Sequence, residues 1–356
     1  MTNESTAHQT ITQNTRNDFL DSLKGLAIIL VVWGHSIQYV KKDGVSFFDN
    51  PLFIIIYSFH MPFFMIISGY LFNHSLHRYS GWLLSLKKTK QLLIPAVSWF
   101  LIESFLVGIN SQFSNLLYGS VFLNIKNILY GSTYFLWFLS SLFALSIAYI
   151  ICYSINKKMG MFIFVLAFML LLFCGDEWSS DKIKFMAPYF MAGILIHKNL
   201  GFIKRNKNVV GLFSVVTWIL MLLSWDKQYY IYITPMSYLN VDFWQHTKII
   251  IFRYLIGFAG SFSIFYFCYF AFTKNISLSK LTSFCGRYTL PIYAISTIII
   301  YRIADVVNLN IFSKNVYIYN IIVTPLFSAF ILSACILIAK IIKKNSLISL
   351  ILFGGR

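Results

Sequence analysis

Apolar side chains in this chain come in long unbroken runs, not in alternation. AIILVVW (27–33), FVLAFMLLLF (164–173) and IIIFRYLIGF (249–258) are three of them. A membrane-spanning β-strand would alternate apolar and polar positions, whereas a lipid-embedded helix is apolar throughout. The runs reach or approach the roughly 20 residues that a helix needs to cross a bilayer. They predict ten helical spans, at about 22–40, 52–73, 91–109, 134–153, 159–175, 184–197, 208–224, 248–272, 287–304 and 318–341. In hydrocarbon every backbone N–H and C=O must be paired within the protein, which helices achieve. The expected fold class is therefore all-α, a polytopic integral membrane protein. The stretch 111–133 reads as an interfacial helix. No internal repeat and no soluble domain is visible. The expected organisation is a polar tail over 1–18, a transmembrane region over 19–345 and a short tail over 346–356.

Composition agrees with this reading. The 356 residues are 58% hydrophobic and 12% charged, against roughly 25% charged in soluble chains. The net charge of +17 would suit nucleic acid in a soluble protein. Here the basic residues sit in alternate loops, as the positive-inside rule predicts. Loop 74–90 carries Arg78, Lys87, Lys88 and Lys90, turn 154–158 carries Lys157 and Lys158, and loop 198–207 carries Lys198, Lys204, Arg205 and Lys207. Lys274, Lys280 and Arg287 follow in 273–287, and Lys340, Lys343, Lys344 and Arg356 at the C-terminus. The intervening loops 41–51, 176–184 and 225–247 are neutral or acidic. This pattern puts both termini in the cytoplasm of a bacterial cytoplasmic (inner) membrane, with membrane lipid and not nucleic acid as the partner. The N-terminus does not read as a cleavable signal, because the first apolar run continues as a full span. Five cysteines lie in or beside apolar runs without metal spacing, and no HExxH motif is present, so no metal is expected.

Polar residues inside the runs carry the candidate chemistry. Lys24 and His35 are eleven residues apart in the first span. Eleven residues turn about 1100°, close to three full turns, so both lie on one stripe about 16 Å apart along the axis. Asp21, three residues before Lys24, lies close enough on that stripe to pair with it. A histidine past the middle of the membrane is costly to bury and marks function more often than packing. A neutral imidazole, with an ordinary pKa near 6.5, can take a hydroxyl proton without a metal. In the second span Pro62 frees a carbonyl and is expected to kink the helix beside His60. Ser68–Gly69 permits close helix approach. Lys87, Lys88 and Lys90 precede Pro95; they read as topology signals or as a phosphate-binding cluster.

At these residues the chain resembles the membrane acyltransferase-3 family, which includes bacterial O-antigen and Nod-factor O-acetylases. The matching segments are LDSLKGLAIILVVWGH (20–35), FHMPFFMIISGYLF (59–72), KKTKQLLIPAVSW (87–99), YFLWFLSSLFAL (134–145), PYFMAGILIHK (188–198) and GRYTLPIYAIS (286–296). The first two are specific in combination. The family usually has Arg where this chain has Lys24, which lacks the bidentate fork, and His where it has Ser296. At this length, the soluble esterase-like domain that some relatives append is not expected. The resemblance implies transfer of an acyl group, most often acetyl, from cytoplasmic acyl-CoA to a hydroxyl of an envelope glycan or lipid-linked saccharide. His35 would be the general base or a transient acyl carrier, with Lys24 and Asp21 as electrostatic partners. Lys87, Lys88, Lys90 and Arg78 would meet the coenzyme's phosphates, while Trp137 and Tyr293 would line the cavity. His60, Ser68, Arg16, Glu103 and Arg253 are further candidates for substrate or cavity contact; charged residues in spans tend to pair or face a cavity.

A glycan transporter or flippase is the alternative, since a polar stripe can also line a conduit. Transporters commonly show repeated halves with broken helices, and none is seen. A non-catalytic membrane assembly subunit is the third class, but it leaves the intramembrane histidine without a purpose.

Overall fold

The computed structural model describes residues 17–39, 47–108, 121–306 and 315–355. Among them no strand occurs. The N-terminal part comprises α1 (Asp18–Tyr39), α2 (Pro51–Leu76), α3 (Gly81–Lys88), α4 (Ile94–Gly108), α5 (Val121–Phe135) and α6 (Trp137–Ile155). There follow α7 (Gly160–Leu172), α8 (Ser180–Lys198), α9 (Leu200–Arg205), α10 (Lys207–Leu223) and α11 (Phe243–Lys274). The chain ends with α12 (Ile276–Arg287), α13 (Thr289–Val306), α14 (Thr324–Ile342) and α15 (Ser346–Phe353). Each of the ten expected segments is largely helical among the described residues. By length and composition, α1, α2, α6, α11 and the stretch Val316–Ile342 are fit to cross a membrane, and α7, α10 and α13 are shorter apolar helices. Of the stretch expected to be interfacial, residues 109–120 lie outside the described residues and 121–135 form α5.

Prolines shape two of these helices. Thr89–Leu93 and Tyr319–Val323 are π turns that lead into α4 and α14, and each stands just ahead of a proline, Pro95 or Pro325. A proline ring lacks an N–H and collides with the carbonyl four residues back. Widening the preceding turn relieves that collision. Pro62 lies within the helix Pro51–Leu76, and Pro188 lies within α8.

The helices interlock where side chains are smallest. A Cβ added to Gly69 of α2 would collide with the Phe190 carbonyl of α8, and one added to Gly193 of α8 with the Ile66 carbonyl of α2. The two backbones therefore approach as closely as lipid-embedded helices can. Residues 346–353, expected as a tail, form α15: the Trp99 indole of α4 donates to the Leu352 carbonyl at 2.9 Å, and Phe353 is fully buried.

The loops gather at two ends. At one end Lys227 pairs with Asp49 at 2.8 Å, Asn50 bonds Asn320 at 2.8 Å, and Asp176 accepts from the Met236 N–H at 2.8 Å. At the other, Asp18 pairs with Arg287 at 3.3 Å, Asn73 donates to His197 at 2.8 Å, and Gly81 lies beside Ser154. The basic loops share this second end, and the neutral and acidic loops share the first.

Candidate active site

The site grows from the crossing of α1 and α2 at the first end. Gly34 makes room for it: a Cβ there would come within 2.7 Å of the Tyr57 ring. Tyr57 thus lies against α1 beside His35 and donates its hydroxyl to Gln38 Oε1 at 3.0 Å. His35 Nδ1 lies 3.4 Å from the same oxygen. An amide oxygen only accepts, so this contact places the ring proton on Nδ1 and leaves Nε2 as an acceptor. His60 repeats the arrangement: its Nδ1 lies 2.9 Å from the Ile56 carbonyl, so Nε2 is again free to accept. The Tyr57 and His60 rings are 4.6 Å apart, and His35 stacks on Tyr39 at 5.8 Å.

Both imidazoles line one cavity of about 50 Å³. Trp137 at the start of α6 and Tyr293 of α13 line it too, joined by a bond from the Phe138 N–H to the Tyr293 hydroxyl at 3.3 Å. The loop between α10 and α11 covers it with Trp225, Tyr229, Tyr230 and Tyr232. Burial pushes the Tyr230 phenol up, so it stays neutral.

Two buried cations hold that loop. Arg253 of α11 also lines the cavity, but its guanidinium donates to four loop carbonyls: Tyr229 at 2.9 Å, Gln228 at 3.1 Å, Thr234 at 3.1 Å and Tyr230 at 3.3 Å. Its NH1 reaches Met236 Sδ at 3.0 Å. A planar five-donor group suits this task as an ammonium does not. Lys184 of α8, fully buried, donates to the Cys174 carbonyl at 2.6 Å and pairs with Asp176 at 2.7 Å. The second Asp176 oxygen accepts from the Met236 and Ser237 N–H groups at 2.8 and 2.9 Å. Loop 225–242 is therefore a built cap.

The other expected site residues lie elsewhere. Lys24 pairs with buried Asp21 at 2.6 Å, three turns from His35 along α1. The Ser68 hydroxyl bonds back to the Phe64 carbonyl at 2.9 Å, and Ser68 lies outside the cavity lining. Glu103 of α4 approaches Arg302 of α13 at 3.6 Å, also outside the lining. Lys87 donates to the Tyr79 hydroxyl at 2.8 Å and lies over its ring, which holds that phenol below its usual range. Lys88 lies over Phe72, and Arg78 and Lys90 are exposed. All four belong to the second end, away from the histidines. Arg16 lies outside the described residues. Ser296 is fully buried and its hydroxyl has no hydrogen-bond partner. Among the described residues no three His, Cys, Asp or Glu side chains gather as a metal set.

Sequence reasoning missed Gln38, Tyr57, Lys184, Asp176 and the capping loop. Gln38 had a signal, a polar residue one turn beyond His35. The others depend on contacts between distant segments.

Comparison with known proteins adds a further line. Residues 17–340 match the acyltransferase-domain family. The nodulation protein NolL of Sinorhizobium fredii is 30% identical over 225 residues, covering 62% of this chain and 60% of that protein. The nodulation protein NolL of Mesorhizobium japonicum is 26% identical over 231 residues, covering 62% of this chain and 59% of its own length. The chain thus spans about 60% of the length of these curated relatives. No solved structure matches.

Proposed function

The chain belongs to the acyltransferase family whose domain covers residues 17–340, and from that premise we propose that it is a membrane-bound O-acyltransferase. Its donor is acyl-CoA, most often acetyl-CoA, and its acceptor a hydroxyl of an envelope glycan or lipid-linked saccharide. The observation that carries this reading is the pair of imidazoles in one aromatic cavity, each with Nδ1 turned to an acceptor and Nε2 free. That is the form in which a histidine acts as a general base.

In the proposed reaction the acceptor hydroxyl oxygen attacks the thioester carbonyl while His35 Nε2 takes its proton. The C–O bond forms, the C–S bond breaks, and the coenzyme's thiolate leaves with the proton that His35 returns. Gln38 holds the imidazole in the required tautomer, and Tyr57 holds Gln38. His60 Nε2 accepts from the sugar and orients it. The aromatic faces of the cap suit a sugar ring. A space of about 50 Å³ admits a hydroxyl and its nearest atoms, whereas whole small-molecule ligands need roughly 300 Å³ or more; the cap must therefore move when the acceptor enters.

The same proposal gives the chain ten spans in the bacterial cytoplasmic membrane with both termini in the cytoplasm. The collection of every basic loop at one end supports this orientation. Lys87, Lys88, Lys90 and Arg78 then face the cytoplasm, where the coenzyme's phosphates approach, with Asp21 and Lys24 at the start of the stripe toward His35. Glu103 and Arg302 act as a charge pair between helices.

The test is transfer itself. Purified protein in liposomes is given labelled acetyl-CoA and extracted envelope glycan. The wild type yields labelled glycan and free coenzyme thiol, and a folded His35→Ala variant yields neither. Label transfer by the variant at the wild-type rate would rule out the base role; no transfer by the wild type to any glycan hydroxyl would rule out the activity.

A further inference from the structure

A second cavity, of about 500 Å³, opens at the end opposite the histidines. It lies among the start of α1, the later part of α2, α9, α10 and the end of α11, and its walls are almost wholly apolar, with Leu23, Ile67, Val210 and Phe265 among them. Its volume falls in the range of ligand-holding pockets. The exceptions to its apolar lining include Lys204 and Lys207. Lys204 is exposed, and Lys207 donates to the Tyr269 hydroxyl at 2.7 Å and lies 3.9 Å over that ring. Among the described residues neither lysine has an acidic partner, and no acidic side chain lines the cavity. An apolar interior with an uncompensated basic rim is complementary to one kind of molecule, an anionic amphiphile.

We propose that this cavity binds one anionic phospholipid, with an acyl chain between α1, α2 and α11 and its phosphate at Lys204 and Lys207. A long-chain acyl donor fits less well, because a chain seated here would hold its thioester at the basic rim, several helical turns from His35. The geometry also gives the lipid a consequence. The cavity wall includes Ile66 and Ile67 of α2, six and seven residues beyond His60, or about 10 Å along the helix. Leu23 of α1 and Phe265 of α11, on the helices that carry His35 and Arg253, line it too. A bound chain thereby contacts three of the helices that contribute to the histidine site, α1, α2 and α11. Near a membrane surface each lysine favours anionic lipid by about one order of magnitude at most.

The experiment is lipid binding by purified protein in neutral detergent, read by native mass spectrometry, with phosphatidylglycerol and phosphatidylcholine of identical chains. It does not involve acyl transfer, so its outcome is independent of the enzymatic proposal. The wild type is expected to bind the anionic lipid about tenfold more tightly. Lys204→Gln with Lys207→Gln should remove that preference and leave phosphatidylcholine binding unchanged. Val210→Trp, which places an indole in the cavity and narrows it, should weaken both lipids at least tenfold. All variants are checked for an unchanged elution profile and melting temperature, and Val210→Phe replaces Val210→Trp if the latter fails to fold. Equal affinity for the two lipids in the wild type, a retained preference in the lysine variant, or unaltered binding by the Val210 variant would each overturn the proposal.

Discussion

Both ends of this molecule carry cations, and they use them differently. At the histidine end, Arg253 and Lys184 are buried, and backbone carbonyls and one carboxylate consume their donors. At the opposite end, Arg78 and Lys90 are exposed, and Lys87 meets a tyrosine, not an acid. A buried cation without partners is very costly, so each one at the histidine end has a partner set that holds a specific backbone shape. An exposed cation bears no such cost and is free to meet a mobile anion. The contrast separates structural cations from candidate donor-binding ones, which residue type alone does not.

Breaking the buried set should have the largest effect on stability. Arg253→Met removes the donor to four carbonyls of the cap, and each unmet buried group costs about 1–3 kcal/mol. Thermal unfolding is expected to show a loss of about 3 kcal/mol or more, with Arg253→Lys intermediate because an ammonium cannot reach all four. Unchanged melting of Arg253→Met would mean that the cap is held by something else. Gln38→Leu sharpens the comparison from within the site. Tyr57 and His35 lose their acceptor, so stability should fall by about 1–3 kcal/mol, while the transfer rate falls about tenfold as the imidazole loses its fixed tautomer. An unchanged transfer rate in the folded variant would assign Gln38 to packing alone. The smallest effect belongs to the lysines of the opposite end. Lys87→Gln, Lys88→Gln and Lys90→Gln together should leave stability within about 0.5 kcal/mol. They should raise the KM for the acyl donor severalfold and flatten its dependence on ionic strength. A fall in kcat with an unchanged KM would dissociate these lysines from donor binding.

The helical segments were legible in the sequence because apolar runs of bilayer length leave the backbone few options. Loop charge also sorted the loops into two groups that the structure gathers at two ends. His35 stood out because a histidine inside an apolar run has few bland explanations, and Trp137 and Tyr293 came with the family resemblance. The remainder was hidden for physical reasons. Lys184 lies at the edge of an apolar run and reads as an interfacial charge, yet it is fully buried because Asp176, eight residues earlier, folds back onto it. Arg253 suggested a substrate contact; its carbonyl partners come from residues 19 to 25 positions earlier, in a loop without periodicity. Tyr57 reads as one more aromatic in a span, and only the crossing of α1 and α2 at Gly34 brings it to Gln38. The widened turns ahead of Pro95 and Pro325 do have a signal in the sequence, the prolines themselves.

The central claim, that His35 Nε2 takes the acceptor's proton, is tested most directly by single-turnover acyl transfer with His35→Ala, measured with and without added imidazole. General-base catalysis contributes about 10²–10⁴-fold. A folded variant is expected to fall by that factor and to be partly restored by imidazole, which leaves the wild type unchanged. A variant that transfers at the wild-type rate, or one whose lost activity no imidazole concentration restores although the cavity binds imidazole, would contradict it.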